Sequence, residues 1–180
     1  MELELVEKVF SFDTEGKANS QKGIYRISNH FVHFYFRFLY PNRSALALMS
    51  ADEFYEKNIQ FSFKNFAALY FNEICKQRIE KWNQEEKLPI AIDRIGEWVG
   101  KSGNIDVVAQ DENGKTLAAC CNWEKSVMQY GDYEKLLSSM GKAKLKADTI
   151  YLFSIQRFDE KLSLEAKMKK NLKLISLEDM

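Results

Sequence analysis

Asp106 is the side chain in this sequence that most asks for a chemical explanation. It stands in the middle of an apolar run, NIDVVAQ at 104–110, where a carboxylate needs either a partner or a function because an isolated buried charge is costly. The run that follows an Asp-Glu-Asn-Gly turn ends in Cys120, Cys121 and Asn122. Glu73 lies beside the apolar stripe of the longest helical segment, where a glutamate is either a solvated helix charge or a second carboxylate for a site. A nucleophilic cysteine requires a base or a positive neighbour to lower its pKa. The only histidines, His30 and His33, sit in a distant aromatic segment, so small buried strand cysteines are the ordinary reading of the pair. With Cys75 remote from them, no spacing resembles a zinc site.

Composition bounds the function classes. The chain has 180 residues, is 46% hydrophobic and 13% aromatic, and balances 26 basic against 26 acidic side chains. It can bury a sizeable core, and it has no global attraction to nucleic acid. Between 141 and 173, however, nine Lys/Arg face four acids. Lys142, Lys144 and Lys146 open that basic third and are the candidate DNA contacts; the alternative is the solvated lysine face of amphipathic helices. An odd number of cysteines, two of them adjacent, does not form the disulfide framework of a small secreted fold. No stretch has the length of a membrane span or the form of a signal peptide. The expectation is a cytoplasmic protein with no membrane association.

The elements that must position these residues follow from periodicity. Alternation over 3–10 and the return segment IYRI predict a hairpin around the Gly/Asn/Ser/Lys-rich tip at 16–23. The stretch HFVHFYFRFLY is apolar almost all round a helix, which predicts a helix passing through a protein interior or an interface, stopped at Pro41. From about 51 to 86 the 3.6-residue period predicts a long helix with a break near 61–63 and a stripe of Phe63, Phe66, Ala67, Tyr70, Phe71, Ile74, Ile79 and Trp82. Three strand-like runs after Pro89 then predict a β-meander. DYEKLLSSMGKAKL, TIYLFSI, DEKLSLEAKMKK and LKLISL continue as helix, buried strand, helix and strand. A mixed α+β sheet with helices against it is the expected architecture.

Helix, β-meander, helix, strand, helix, strand resembles the core order of the PD-(D/E)XK, or restriction-endonuclease-like, fold. The resemblance implies an acid on the second strand of the meander, an acid-x-Lys on the third, and often a glutamate from the first helix, together holding Mg²⁺ through hard oxygen ligands. More specifically, GIYRISNHFVHFYFRFLYPNRS, FNEICKQRI, RIGEWVGKSGNIDVVA, CCNW, YLFS and LISLEDM resemble the C-terminal domain of archaeal-type ATPases, the domain of unknown function number 234. That resemblance covers nearly the whole chain. It implies a P-loop ATPase of the STAND/AAA type and a winged helix fused upstream. No GxxxxGK[ST] occurs in the chain, and 1–27 would match only the wing, so the expectation is a fragment or a truncated homologue. Residues 1–44 are then a wing hairpin and aromatic helix left from a winged-helix region, and 45–180 the nuclease-like domain.

Carried over residue by residue, the helix glutamate of the family falls on Glu73 and its strand acid on Asp106. The third-strand acid and lysine fall on Cys120 and Asn122. A soft thiol is unsuited to Mg²⁺, and a neutral amide cannot supply the charge of lysine. The resemblance therefore implies a vestigial site of Glu73, Asp106, Cys120 and Asn122. Glu73 and Asp106 would hold Mg²⁺ or Mn²⁺ only weakly, and no cofactor is expected otherwise. Glu124 shares the parity of 120 and 122 and is a rescue candidate for the lost acid, with Lys125 or Lys135 as donor. The expected function is a catalytically degenerate module of an ATPase that binds double-stranded DNA or regulates its host. The alternatives are an interaction module forming homo-oligomers and, third, an active Mg²⁺-dependent DNA nuclease.

Overall fold

The computed structural model describes residues 5–14, 23–123 and 127–180. Its centre is a five-stranded sheet in the order β3 (Arg94–Gly100), β4 (Gly103–Gln110), β5 (Thr116–Asn122), β7 (Thr149–Ser154) and β9 (Leu172–Ser176). The first three strands are an antiparallel meander, and the last two join in parallel. This division follows from the connections, because tight turns return a strand antiparallel whereas parallel strands need a crossover. Between β4 and β5 the Asp111 carboxylate accepts from the amides of Asn113 (2.9 Å) and Lys115 (2.8 Å), and Gly114 takes a φ of +83°. The crossovers are α5 (Tyr130–Ala143) and α6 (Glu160–Met168). Two short strands, β6 (Val127–Met128) and β8 (Arg157–Phe158), pair in parallel beside them. They are too short to show a period in sequence.

Helices cover both faces. On one side α4 (Gln60–Gln84) lays Phe71, Cys75 and Ile79 against Val107, Ala109, Leu117, Ala119, Tyr151 and Phe153. On the other, Tyr133, Leu136 and Met140 of α5 and Leu162 of α6 pack on Ile105, Val108, Ala118, Ile150 and Leu152. Strand β7 is buried along its whole length, as a strand covered on both faces must be, which is why it reads as a continuous apolar run. The stripe of α4 differs from the sequence expectation. Cys75 rather than Ile74 faces the sheet, and Ile74 and Phe63 are exposed, because spacing by four from Phe71 sets the buried face.

A helical layer precedes the sheet. After the hairpin β1 (Val6–Phe10) and β2 (Gly23–Ile27) come α1 (His30–Phe34), a π-helical turn at Tyr35–Leu39, a 3₁₀ turn at Tyr40–Asn42, α2 (Arg43–Leu48) and α3 (Ala51–Asn58). Pro41 lacks the amide that would continue an α-helix, and the Asn42 side chain caps the Phe38 carbonyl at 3.0 Å. Of the two places expected for this helix, an interior or an interface, the chain's own interior is not the one: in the stretch from His30 to Asn42 only Phe38 is buried, in a small core with Phe54, Ile59 and Phe66. The break before α4 falls at Ile59, earlier than periodicity suggests, because Ile59 turns into that small core. The expected hairpin tip lies outside the described residues, apart from Gly23, which opens β2.

Beyond its own pairing, the hairpin is anchored to the sheet edge. The amide of Phe12 donates to the Glu97 carbonyl (2.7 Å) and the amide of Val99 to Ser11 Oγ (3.0 Å). Arg26 of β2 pairs with Glu97 at 2.5 Å, and the Phe12 ring enters the α5-side core. No helix among the described residues is long and apolar enough to cross a membrane.

Candidate functional site

A β-bulge places Asp106. Gly96 pairs with Val108, but Trp98 pairs with Ile105, so two steps along β3 match three along β4. The extra residue makes neighbours share a face. Ile105 and Val108 belong to the α5 side, whereas Val107 and Ala109 belong to the α4 side, and the Asp106 carboxylate reaches Asn72 of α4. Asp106 and Val107 are therefore adjacent residues on one face, an orientation that simple alternation does not provide and that bulges supply next to functional sites.

Both oxygens of that carboxylate are engaged. Asn72 Nδ2 donates to Oδ1 at 3.1 Å, and the backbone amide of Cys121 donates to Oδ2 at 2.8 Å. The Cys120 thiol adds a further hydrogen bond. The paired register of β4 and β5 ends at Val107 and Ala119, so Asp106 supplies the acceptor that the diverging strand no longer gives Cys121. Burial raises the Asp106 pKa above the usual carboxylate value, and the charge of Glu97 adds to it; the hydrogen bonds from Cys121, Cys120 and Asn72 only partly oppose the rise.

One cavity is lined by this carboxylate and a second by the cysteines that donate to it. The first, about 260 Å³, lies between the hairpin, α4 and the β3–β4 edge, and its walls include Asp106, Glu73, Asn72, Lys76, Arg26 and Glu97. Glu73 and Asp106 thus share one cleft. The second, about 340 Å³, is lined by Cys120, Cys121, Asn122, Trp123 and Ala68 with Asp132 and Lys135 of α5. Cys120 and Asn122 open there and not into the cleft that holds Glu73. The Asp132 carboxylate accepts from the Gln129 amide (3.1 Å) to cap α5 and lies 3.5 Å from Lys135 Nζ. Glu124 and Lys125 lie outside the described residues.

The four positions supply two carboxylates, one thiol and one amide. Among the described residues no group of three or more His, Cys, Asp or Glu side chains is placed to hold a metal ion. A hard divalent cation, which takes oxygen ligands, is poorly matched by this set. The thiols are equally unsuited to nucleophilic work. Burial pushes Cys120 and Cys121 well above the ordinary thiol pKa; a hydrogen bond with Cys75 adds for Cys121, and the charges of Asp106 and Asp132 add for Cys120. His30 and His33 are far from them in role: the His33 ring shares a hydrogen bond of 2.5 Å with the Tyr70 hydroxyl, and the His30 ring packs on the same tyrosine.

The basic third has a regular construction. Ala143, Leu145 and Ala147 pack on the α5-side core while Lys142, Lys144 and Lys146 are exposed. Lys144 ends α5 in the left-handed region (φ 54°), and the Leu145 amide closes on the Met140 carbonyl at 2.9 Å. Further along, Lys161 sits over the Tyr130 ring and Lys169 pairs with Glu165 at 2.7 Å, so the basic residues there are partly committed to the fold. Asn72, Lys76, Glu97 and Arg26 were not legible as site residues. Only the run Asn72-Glu73 with Lys76 on the next turn hints at a polar helix edge.

The family model of archaeal and bacterial proteins of unknown function matches residues 35–136, more than half of the chain. That span contains Glu73, Asp106, Cys120 and Asn122. An uncharacterized protein of Methanocaldococcus jannaschii is 26% identical over 179 residues, which cover 88% of this chain but 39% of that relative. The chain thus spans well under half the length of the relative it matches. No solved structure matches.

The raised pKa of Asp106 gives a signed prediction. Below its ordinary value of 3.8 the residue is protonated in both folded and unfolded chains. As pH rises, the unfolded chain loses the proton first, so stability falls until the folded-state pKa is passed. Asp106→Asn removes that term and keeps one oxygen for the Cys121 amide. Chemical denaturation from pH 3 to pH 7 should show the stability difference moving in favour of Asp106→Asn, whereas Asp106→Ala, which leaves the amide unsatisfied, should lose about 1–3 kcal/mol.

Proposed function

Because the chain belongs to the family defined by domain of unknown function 234, we propose that it is a catalytically degenerate, nuclease-like domain that contacts double-stranded DNA or regulates a longer host protein carrying a P-loop ATPase. The observation that carries this reading is the engagement of Asp106. In a working site of the PD-(D/E)XK kind its oxygens would face a metal together with an acid and a lysine from the next strand. Here they accept from Asn72 and Cys121, and the next strand offers Cys120 and Asn122. The element order of helix, meander, helix, strand, helix, strand supports the nuclease-like part. The greater length of the archaeal relative supports the host protein.

In this reading Glu73 and Asp106 retain at most a weak affinity for Mg²⁺ or Mn²⁺, and hydrolysis is lost because the β5 positions that would carry the acid and the lysine hold Cys120 and Asn122. DNA contact falls to the exposed Lys142, Lys144 and Lys146. Each phosphate neutralised releases counterions, so affinity for duplex should drop steeply with salt.

Two experiments separate the parts of the proposal. Cys120→Glu combined with Asn122→Lys should create Mn²⁺ binding that Asp106→Ala abolishes, read by calorimetry or electron paramagnetic resonance; a double variant that binds no Mn²⁺ contradicts the site assignment. Fluorescence anisotropy with duplex DNA should show binding that weakens with salt and weakens again when the three lysines become glutamine. A flat salt response, or no binding at low salt, removes the DNA contact and leaves the regulatory role.

A further inference from the structure

The two edges of the central sheet are finished differently. At β3 the segment after β1 covers the edge: Ser11 bridges to Glu97, and Phe12 and Val99 complete the contact. At the far edge β9 pairs only with β7 among the described residues. An uncovered edge strand presents a row of backbone donors and acceptors to any strand that can pair with it, and proteins ordinarily cover or blunt it. The register shows which groups these are. The Ile150 amide donates to the Asn171 carbonyl at 2.8 Å, so the odd-numbered residues of β9 turn their backbone groups to β7, and Leu172, Leu174 and Ser176 turn theirs outward. Two of the outward amides are satisfied within the chain, Leu172 by the Lys169 carbonyl (3.0 Å) and Ser176 by the Asp179 carboxylate (2.9 Å). Leu174, at the middle of the strand, keeps both its amide and its carbonyl toward the open edge.

The flanks of the strand indicate what pairs there. Lys170 stands just before β9 and Glu178 just after it, both exposed, and among the described residues neither makes an ion pair. A second β9 added in parallel would set Lys170 beside Lys170 and Glu178 beside Glu178. Added antiparallel about a two-fold axis at Leu174, it sets each Lys170 beside the Glu178 of the other copy. Leu174 then stands opposite Leu174, where the two residues exchange both backbone hydrogen bonds. The hydrogen-bond pattern and the charge pattern select the same centre, since position 174 lies midway between 170 and 178. Lys173 is a charge of the kind that blunts edges, but its backbone faces β7. Its side chain lines an open groove of about 240 Å³ with Trp82, Leu88, Tyr151 and Ile175 on the α4 side of the sheet.

We propose that β9 is a dimerisation strand: two copies of the chain join their sheets edge to edge, β9 antiparallel to β9, with Lys170 of each copy facing Glu178 of the other. The pairing uses neither the Asp106 cleft nor Lys142, Lys144 and Lys146, so it is testable apart from the nuclease-like reading. Sedimentation equilibrium of the full chain at low ionic strength, where exposed pairs are least screened, should give a monomer–dimer equilibrium. Lys170→Glu and Glu178→Lys, both at exposed positions, should leave the circular dichroism unchanged. Each should raise the dimer dissociation constant on the order of tenfold, because like charges then meet twice across the axis. An equimolar mixture of the two variants, or one chain carrying both changes, should bring association back to that of the unaltered chain. The Leu174 amide should also exchange its hydrogen more slowly as protein concentration rises and the dimer fills. A chain that stays monomeric throughout overturns the proposal, its edge then being left for a strand of another protein. So does a dimer whose Leu174 exchange ignores concentration, or one indifferent to the two charge reversals.

Discussion

The centre of this fold depends on a carboxylate held where two strands part. Asp106 is turned onto the α4 face by one extra residue in β4 and accepts from Asn72 of α4 and from the Cys121 amide of β5. It therefore ties three elements at the point where the β4–β5 pairing ends. Hydrogen bonds to a charged acceptor are stronger than neutral ones, and desolvation opposes them, which is why the pKa of Asp106 rises despite its donors. The same arrangement limits what the carboxylate has left to offer. An acid with both oxygens engaged is a structural acceptor first, and a ligand only if those donors are displaced.

Around this point the surface holds two cavities, both with a wall from α4. The cleft with Glu73, Lys76, Arg26 and Glu97 is polar and roofed by the N-terminal hairpin, while the other is lined by thiols, an amide and the first turn of α5. The ion pair of Arg26 with Glu97 and the edge contacts of Ser11 and Phe12 make the hairpin part of the wall of the first cleft. Access to Asp106 from that side thus depends on a segment far away in sequence. Burial keeps Cys120 and Cys121 protonated, so the second cavity presents neutral groups beside the Asp132–Lys135 pair.

Much of the architecture was legible in the sequence because local patterns set it. The apolar run at 104–110, the Asp111 to Gly114 turn and the continuous apolar run of β7 each specify their element without long-range help. What was not legible depends on register and packing between distant segments. The bulge at Asp106 is a property of how β3 meets β4, and no single strand displays it. The choice of Cys75 over Ile74 for the buried face of α4 depends on how the helix sits on the sheet. Apolar residues all round the aromatic segment predict a helix in an interior or at an interface, and the structure buries only Phe38 of it fully, since the pattern alone does not say which of the two it serves. Glu73 and Asp106 were nameable as site residues from their types and positions, but Asn72, which decides what Asp106 does, is an unremarkable amide until α4 is docked.

The most direct test is nuclear magnetic resonance of the Asp106 carboxyl carbon in the folded chain, titrated with pH and then with Mn²⁺. A structural acceptor should titrate above 3.8 and show no selective paramagnetic broadening as Mn²⁺ is added. A carboxylate that titrates at or below its ordinary value and broadens selectively at low Mn²⁺ is a working metal ligand, and that result would contradict a structural role for Asp106.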